Sequence, residues 1–142
     1  MITYKDIKLS VNNSLINKFN LPINSNDVKE GFSRPSFFVE LDNFNPSSTL
    51  VQVEKNLTIR IYYFPSDRYD YSLELLDIQE GLESLFDLKL SVLDRQFTIN
   101  DKTADVVDGV LNFYFDLHFF DGKDNDPSDE GELMDTLVFR KG

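Results

Sequence analysis

The chain has 142 residues, 41% apolar and 13% aromatic, and its 14 Lys+Arg against 25 Asp+Glu give a formal charge of −11. That length predicts one domain with a core of its own, and the composition excludes disorder of the whole chain. So acidic a field repels phosphate backbones and anionic lipid surfaces, while the lack of cysteine and a single histidine leave little for disulfides, thiolates, zinc sites or a Ser-His-Asp relay.

No run approaches the roughly 18 consecutive apolar residues of a membrane span. The opening MITYKDIKLS has neither the apolar core of a signal peptide nor a lipidation signal, so an intracellular, soluble domain is expected.

The first predicted element is an amphipathic helix over 3–19. Thr3 is its cap, supported by Asp6, and Tyr4, Ile7, Val11, Leu15 and Phe19 recur three or four apart on one face. Asn20 and Pro22 end it. Leu9 and Ile16 lie off the stripe, which predicts cover on more than one side. A polar connection, 24–35, follows and closes at Pro35. Phe37, Val39 and Leu41 then alternate with Phe38, Glu40 and Asp42, a half-buried strand.

After the loop NFNPSS comes the clearest strand, 50–64. Val51, Val53, Leu57, Ile59, Ile61 and Tyr63 share one parity, broken only by Lys55, and Tyr62 and Phe64 place aromatic surface on the other, polar face. A second helix is predicted over about 70–87 from Tyr71, Leu75, Ile78, Leu82, Leu85 and Phe86. Gly81 inside it marks a close approach or a bend.

Strands return at 89–93, 95–99 and 106–120. In the last, Val107, Leu111, Phe113, Phe115, Leu117 and Phe119 share a parity, and Asp108-Gly109 makes either a hairpin turn or a bulge. Residues 121–132 hold six acids against one lysine and read as a mobile acidic loop, followed by a possible edge strand at 133–139. The loop between strands 35–42 and 50–64 is too short for a crossover, so they pair antiparallel. The expected fold class is α+β: a mostly antiparallel sheet with two helices packed on one face.

No constellation reads as an active site. His118 and Asp116 share a strand face without a second histidine to complete a metal site. Asp124, Asp126 and Asp129 miss the calcium-loop spacing, because Ser128 and Asp129 stand where a ligand and a glycine are required. Neither catalytic nor metal nor cofactor-binding residues are expected. The unusual feature is apolar surplus where water is expected: Phe38, Tyr62 and Phe64 on the sheet, Leu73 and Leu76 on the second helix. Such surface meets another subunit or is partly covered within the chain.

Val28-Lys29-Glu30-Gly31-Phe32 and Arg34-Pro35-Ser36-Phe37-Phe38-Val39 resemble a stretch common in tail terminator proteins of long-tailed phages and prophages of Gram-positive bacteria. Tyr4-Lys5-Asp6-Ile7, Arg60-Ile61-Tyr62-Tyr63-Phe64-Pro65 and Val107-Asp108-Gly109-Val110-Leu111 extend the likeness over about residues 3–120. The resemblance implies a structural, non-enzymatic subunit of the virion's tail-neck region, assembled in the host bacterial cytoplasm. It would close into a ring with itself, usually a hexamer, end tube polymerisation, and join the tail tube protein to the head connector. No cofactor or membrane enters this reading, and DNA only passes through an acidic lumen. Subunit or tube contacts are expected from Phe32, Arg34, Phe38, Arg60, Tyr62 and Phe64. The alternatives are another neck component, such as a head-completion or connector-stopper protein, and a cytoplasmic binding module.

Overall fold

A computed structural model describes residues 2–24, 34–67, 69–99 and 101–122. Phe32, most of the 24–35 connection, the acidic run from Lys123 onward with its three aspartates, and the 133–139 segment lie outside them.

Helix α1 spans Tyr4–Phe19. Thr3 caps it through its side chain on the Asp6 amide, and the Asp6 carboxylate accepts from the Thr3 amide in return. This reciprocal box satisfies two amides that a helix start otherwise leaves open. Asn20 closes the other end in the left-handed conformation (φ 56°), with its N–H on the Ile16 carbonyl. Ile7, Val11 and Leu15 are fully buried, but Leu9 and Ile16 are 50% and 43% exposed. The predicted second side of cover is therefore not supplied by the described residues.

Strands β1 (Ile23–Asn24), β2 (Ser36–Asp42), β3 (Ser47–Ser48) and β4 (Gln52–Phe64) precede helix α2 (Ser72–Leu85). Then come β5 (Lys89–Val92), β6 (Arg95–Thr98), β7 (Lys102–Val107) and β8 (Val110–Gly122). The main sheet runs β1-β2-β4-β8-β7, with β3 also on β4, and β5-β6 form a separate hairpin. Among the described residues only the β1-β2 pair is parallel. The fold is α+β, as expected.

Register explains the core. Val39 pairs with Ile61 and Ile61 with Phe113, while Leu41 pairs with Ile59 and Ile59 with Phe115. These rows point to one sheet face, and both helices lie on it. Phe19 of α1 meets the Phe37 ring at 5.1 Å, and Phe86, just past α2, meets Phe115 at 5.4 Å. Leu57, Ile59, Ile61, Leu111, Phe113 and Phe115 are all essentially sealed from water. Lys55, the break in the β4 stripe, sits over the Tyr4 ring at 4.6 Å and donates to the Ile2 carbonyl, at the wet margin where α1 begins.

Gly81 is a close-approach point: a Cβ there would stand 2.8 Å from the Phe19 ring, so a side chain would push the two helices apart. Three expectations need correction. The second helix is shorter than 70–87. The long strand at 106–120 is two strands, because Asp108 (φ 53°) and Gly109 (φ 75°) make a hairpin turn rather than a bulge. Asp121 is no loop residue but the buried end of β8, where it accepts from the Ile2 amide and pairs with Arg95. Asp121 continues the inward row of Phe115, Leu117 and Phe119, so strand parity outranks acidic composition at this position. Among the described residues no helix is long and apolar enough to cross a membrane.

Candidate functional site

The sheet face turned away from the helices has no covering layer among the described residues. It carries a ladder of cross-strand pairs. Phe38 stands opposite Tyr62, Glu40 opposite Arg60, and Asp42 opposite Thr58. Across β4, Arg60 faces Tyr114, Tyr62 faces Asn112, and Asn56 faces His118.

Arg60 is the hub. Its Nε donates to Asp42 at 2.9 Å, and its guanidinium lies 4.8 Å from the Tyr114 ring. Burial pulls the guanidinium down, but the Asp42 carboxylate outweighs it and holds the group above its ordinary value. The Tyr62 hydroxyl donates to Glu40 at 3.1 Å, and burial with that bond pushes the phenol up. Phe38 stacks at 5.9 Å from the Tyr62 ring, tilted by 30°. The result is a half-buried aromatic strip flanked by a cation already oriented by a carboxylate. Such a strip suits protein contact, since the rings are rigid and little entropy is lost on docking.

The predicted contact residues do not all meet here. Phe38, Arg60 and Tyr62 form one cluster. Phe64 shares their parity but is only 5% exposed. Arg34, whose guanidinium lies 5.9 Å from that ring, donates to the Pro65 carbonyl at 3.1 Å. Phe64 and Arg34 thus form a covered corner at the end of β4, leaving Phe64 little area to offer a partner. Tyr114 and Asn112 share this face with Asp116 and His118, as their parity on one strand predicts; among the described residues the buried Asn112 amide oxygen has no hydrogen-bond partner.

His118 and Asp116 engage different groups on β4. The His118 Nε2 lies 2.5 Å from a Glu54 carboxylate oxygen, and Asp116 accepts from the Thr58 hydroxyl at 2.7 Å. Among the described residues no three potential ligands come together around a metal-sized space.

Two titrating groups tie α2 to the sheet. The Tyr63 hydroxyl donates to Glu74 at 2.5 Å, and Glu74 also accepts from the Ser66 amide and hydroxyl. Burial raises the Glu74 carboxyl, but the bonds from Tyr63 and Ser66 outweigh it and leave the group below its usual 4.5. Burial, then the same bond, pushes the Tyr63 phenol well above its usual 10.0. A depressed carboxyl stabilises above its unfolded value and loses that contribution as pH falls through the folded one. A raised phenol stabilises below its unfolded value and loses it as pH climbs. The urea midpoint should therefore be flat near neutrality, decline below about pH 4.5 and decline again above about pH 10. Glu74→Gln should flatten part of the acid limb, and an unchanged acid limb would remove Glu74 from the account.

Comparison with curated proteins gave no match. Comparison with protein families matches residues 6–129, a span that includes α2, every described strand and all of α1 but its first two residues, to a family described as phage tail terminator protein. That family is a structural one of the virion tail. With most of its length matched, this chain belongs to the phage tail terminator protein family.

Proposed function

We propose that the protein closes as a ring of identical subunits, six in number, on the end of a completed tail tube. There it stops polymerisation and presents the surface that joins the head connector, with no catalytic step. The family match over residues 6–129 carries this reading. The uncovered sheet face supports it, because Phe38, Tyr62 and Arg60 form an aromatic and cationic strip of the kind that protein partners bury. The charge fits as well: with −11 on each copy, acids gathered toward the lumen would repel DNA phosphates and let the strand slide through.

The test is electron microscopy of lysates from a phage or prophage lacking the gene. Abnormally long or unjoined tails are the expected result. Normal tails beside heads that leak DNA would assign the protein to head completion instead.

A further inference from the structure

Where β2 gives way to β3, the outer sheet face holds a depression outside the aromatic strip. Asp42 stands level with Thr58, while the Asn45 amide donates to the Asn56 carbonyl, so Asn43 and Phe44 together oppose the single residue Leu57. This is a β-bulge, and a bulge re-aims the side chains at its centre. Asn43 takes the left-handed conformation (φ 55°) and turns onto the outer face, where its Nδ2 donates to the Thr58 hydroxyl at 3.2 Å. Phe44 goes the other way, to the Tyr4 ring at 4.6 Å. Asn43, Asn45, Asn56, Thr58 and Asp116 line the resulting depression of about 370 Å³.

Hydrogen bonds inside this cluster engage most of its donors. The Thr58 hydroxyl donates to Asp116 at 2.7 Å, Asn43 donates to Thr58, and the Asn56 Nδ2 donates to the Asn45 carbonyl at 3.3 Å. What the lining keeps for a ligand is mainly oxygen: the amide oxygens of Asn43, Asn45 and Asn56 and the second oxygen of Asp116. Asp116 is exposed, and among the described residues no basic side chain pairs with it. The basic groups beside it on this face are already engaged, Arg60 by Asp42 and His118 by Glu54. One carboxylate is too few for a firm divalent-cation site, and among the described residues no three acidic or histidine ligands converge. An oxygen-lined depression with one uncompensated carboxylate rejects anions and suits a positive group that carries several N–H donors.

We propose that this depression seats a lysine or arginine side chain of the tube on which the outer face docks, its ammonium or guanidinium bonding Asp116 and the asparagine oxygens. The inference rests on the tube-docking reading above. Both halves of the contact lie on one face. Thr58 precedes Tyr62 by four residues on β4, about 13 Å at the rise of a strand. The partner therefore presents an apolar group to the Phe38 and Tyr62 rings and a cation about 13 Å away. A subunit with a formal charge of −11 also gains from a basic counterpart before contact, because opposite fields steer the two surfaces together.

The probe is tail tubes from a lysate lacking the gene, co-sedimented with purified full-length protein over a salt series. Wild-type protein should bind, and binding should weaken as salt rises, since the pairing is between charges. Asp116→Asn keeps the size of the side chain and removes its charge. It should weaken binding by about tenfold or more and flatten the salt dependence, with an unchanged circular dichroism spectrum. Asn45→Asp adds a carboxylate at an exposed position whose side chain takes no part in the bonds above, so it should tighten binding and steepen the salt dependence. Wild-type affinity and salt dependence in Asp116→Asn overturn the cation seat and leave tube docking standing, as when a basic residue of this chain fills the depression. If Asp116→Asn loses its fold, Asn45→Asp decides, and binding no tighter than wild type overturns the seat. Binding lost in EDTA while the tubes stay intact assigns the depression to a metal ion and overturns it equally. Wild-type protein that does not bind tubes overturns the tube-docking reading and this inference with it.

Discussion

Phe115→Ala is expected to cost about 3–5 kcal/mol of folding stability, as large-to-small changes of a sealed aromatic do. The ring is 1% exposed and sits at 5.4 Å from Phe86 and 6.3 Å from Phe113. It lies between β4 and β7 in the sheet, opposite Ile59 on one side and Lys102 on the other. Truncation therefore opens a cavity beneath the end of α2 that no neighbouring strand can close. Against a typical total of about 5–15 kcal/mol the loss is severe. The midpoint of thermal unfolding should fall by roughly 6–20 °C at the sensitivity usual for chains of this size. Circular dichroism during urea and heat unfolding measures both. A loss below about 1 kcal/mol would mean that the side chain faces away from the helices, and the whole register would be off by one.

The second large effect concerns assembly rather than folding. Phe38→Ala/Tyr62→Ala should leave the chain folded, because both rings stand on the open sheet face and neither enters the core cluster. Capping of tubes should nevertheless collapse. Buried aromatic anchors are where binding free energy concentrates, and each about 1.4 kcal/mol lost per contact is a tenfold change in affinity. Summed over the copies of the proposed ring, even a modest loss per copy leaves most tubes uncapped. The measurement is the length distribution of tails from phage carrying the variant, beside the circular dichroism of the purified subunit. A folded variant with tails of normal length would remove this face from tube binding.

Much of the fold was legible because single residues signalled it. Thr3 and Asp6 mark the start of α1, and the parity of Leu57, Ile59 and Ile61 sets which face of β4 is buried. Parity also placed Phe38, Arg60 and Tyr62 together on the outer face. It could not show that Phe64, in the same row, would be covered, because the guanidinium beside it comes from Arg34, thirty residues earlier in the chain. β7 was missed because Lys102–Val107 is mostly exposed and lacks the apolar alternation that reveals a half-buried strand. Arg95 gave no hint of its partner, since the ion pair with Asp121 spans two elements of separate sheets.

The pairing of β4 with β8 sets the order in which the molecule can form. It joins Gln52 to Gly122 and Tyr63 to Leu111, and the Ile2 amide reaches Asp121, 119 positions away. Such distant pairings must await long loop closures, so folding should be slow beside that of a helical bundle of equal length. During synthesis α1 emerges first and waits with Ile7, Val11 and Leu15 uncovered, while β4 has only β2 and the short β3 for company. The β7 edge exists as an edge only once β8 has paired behind it. The outer face that carries Phe38, Arg60 and Tyr62 is therefore finished only when β8 brings Tyr114 against Arg60.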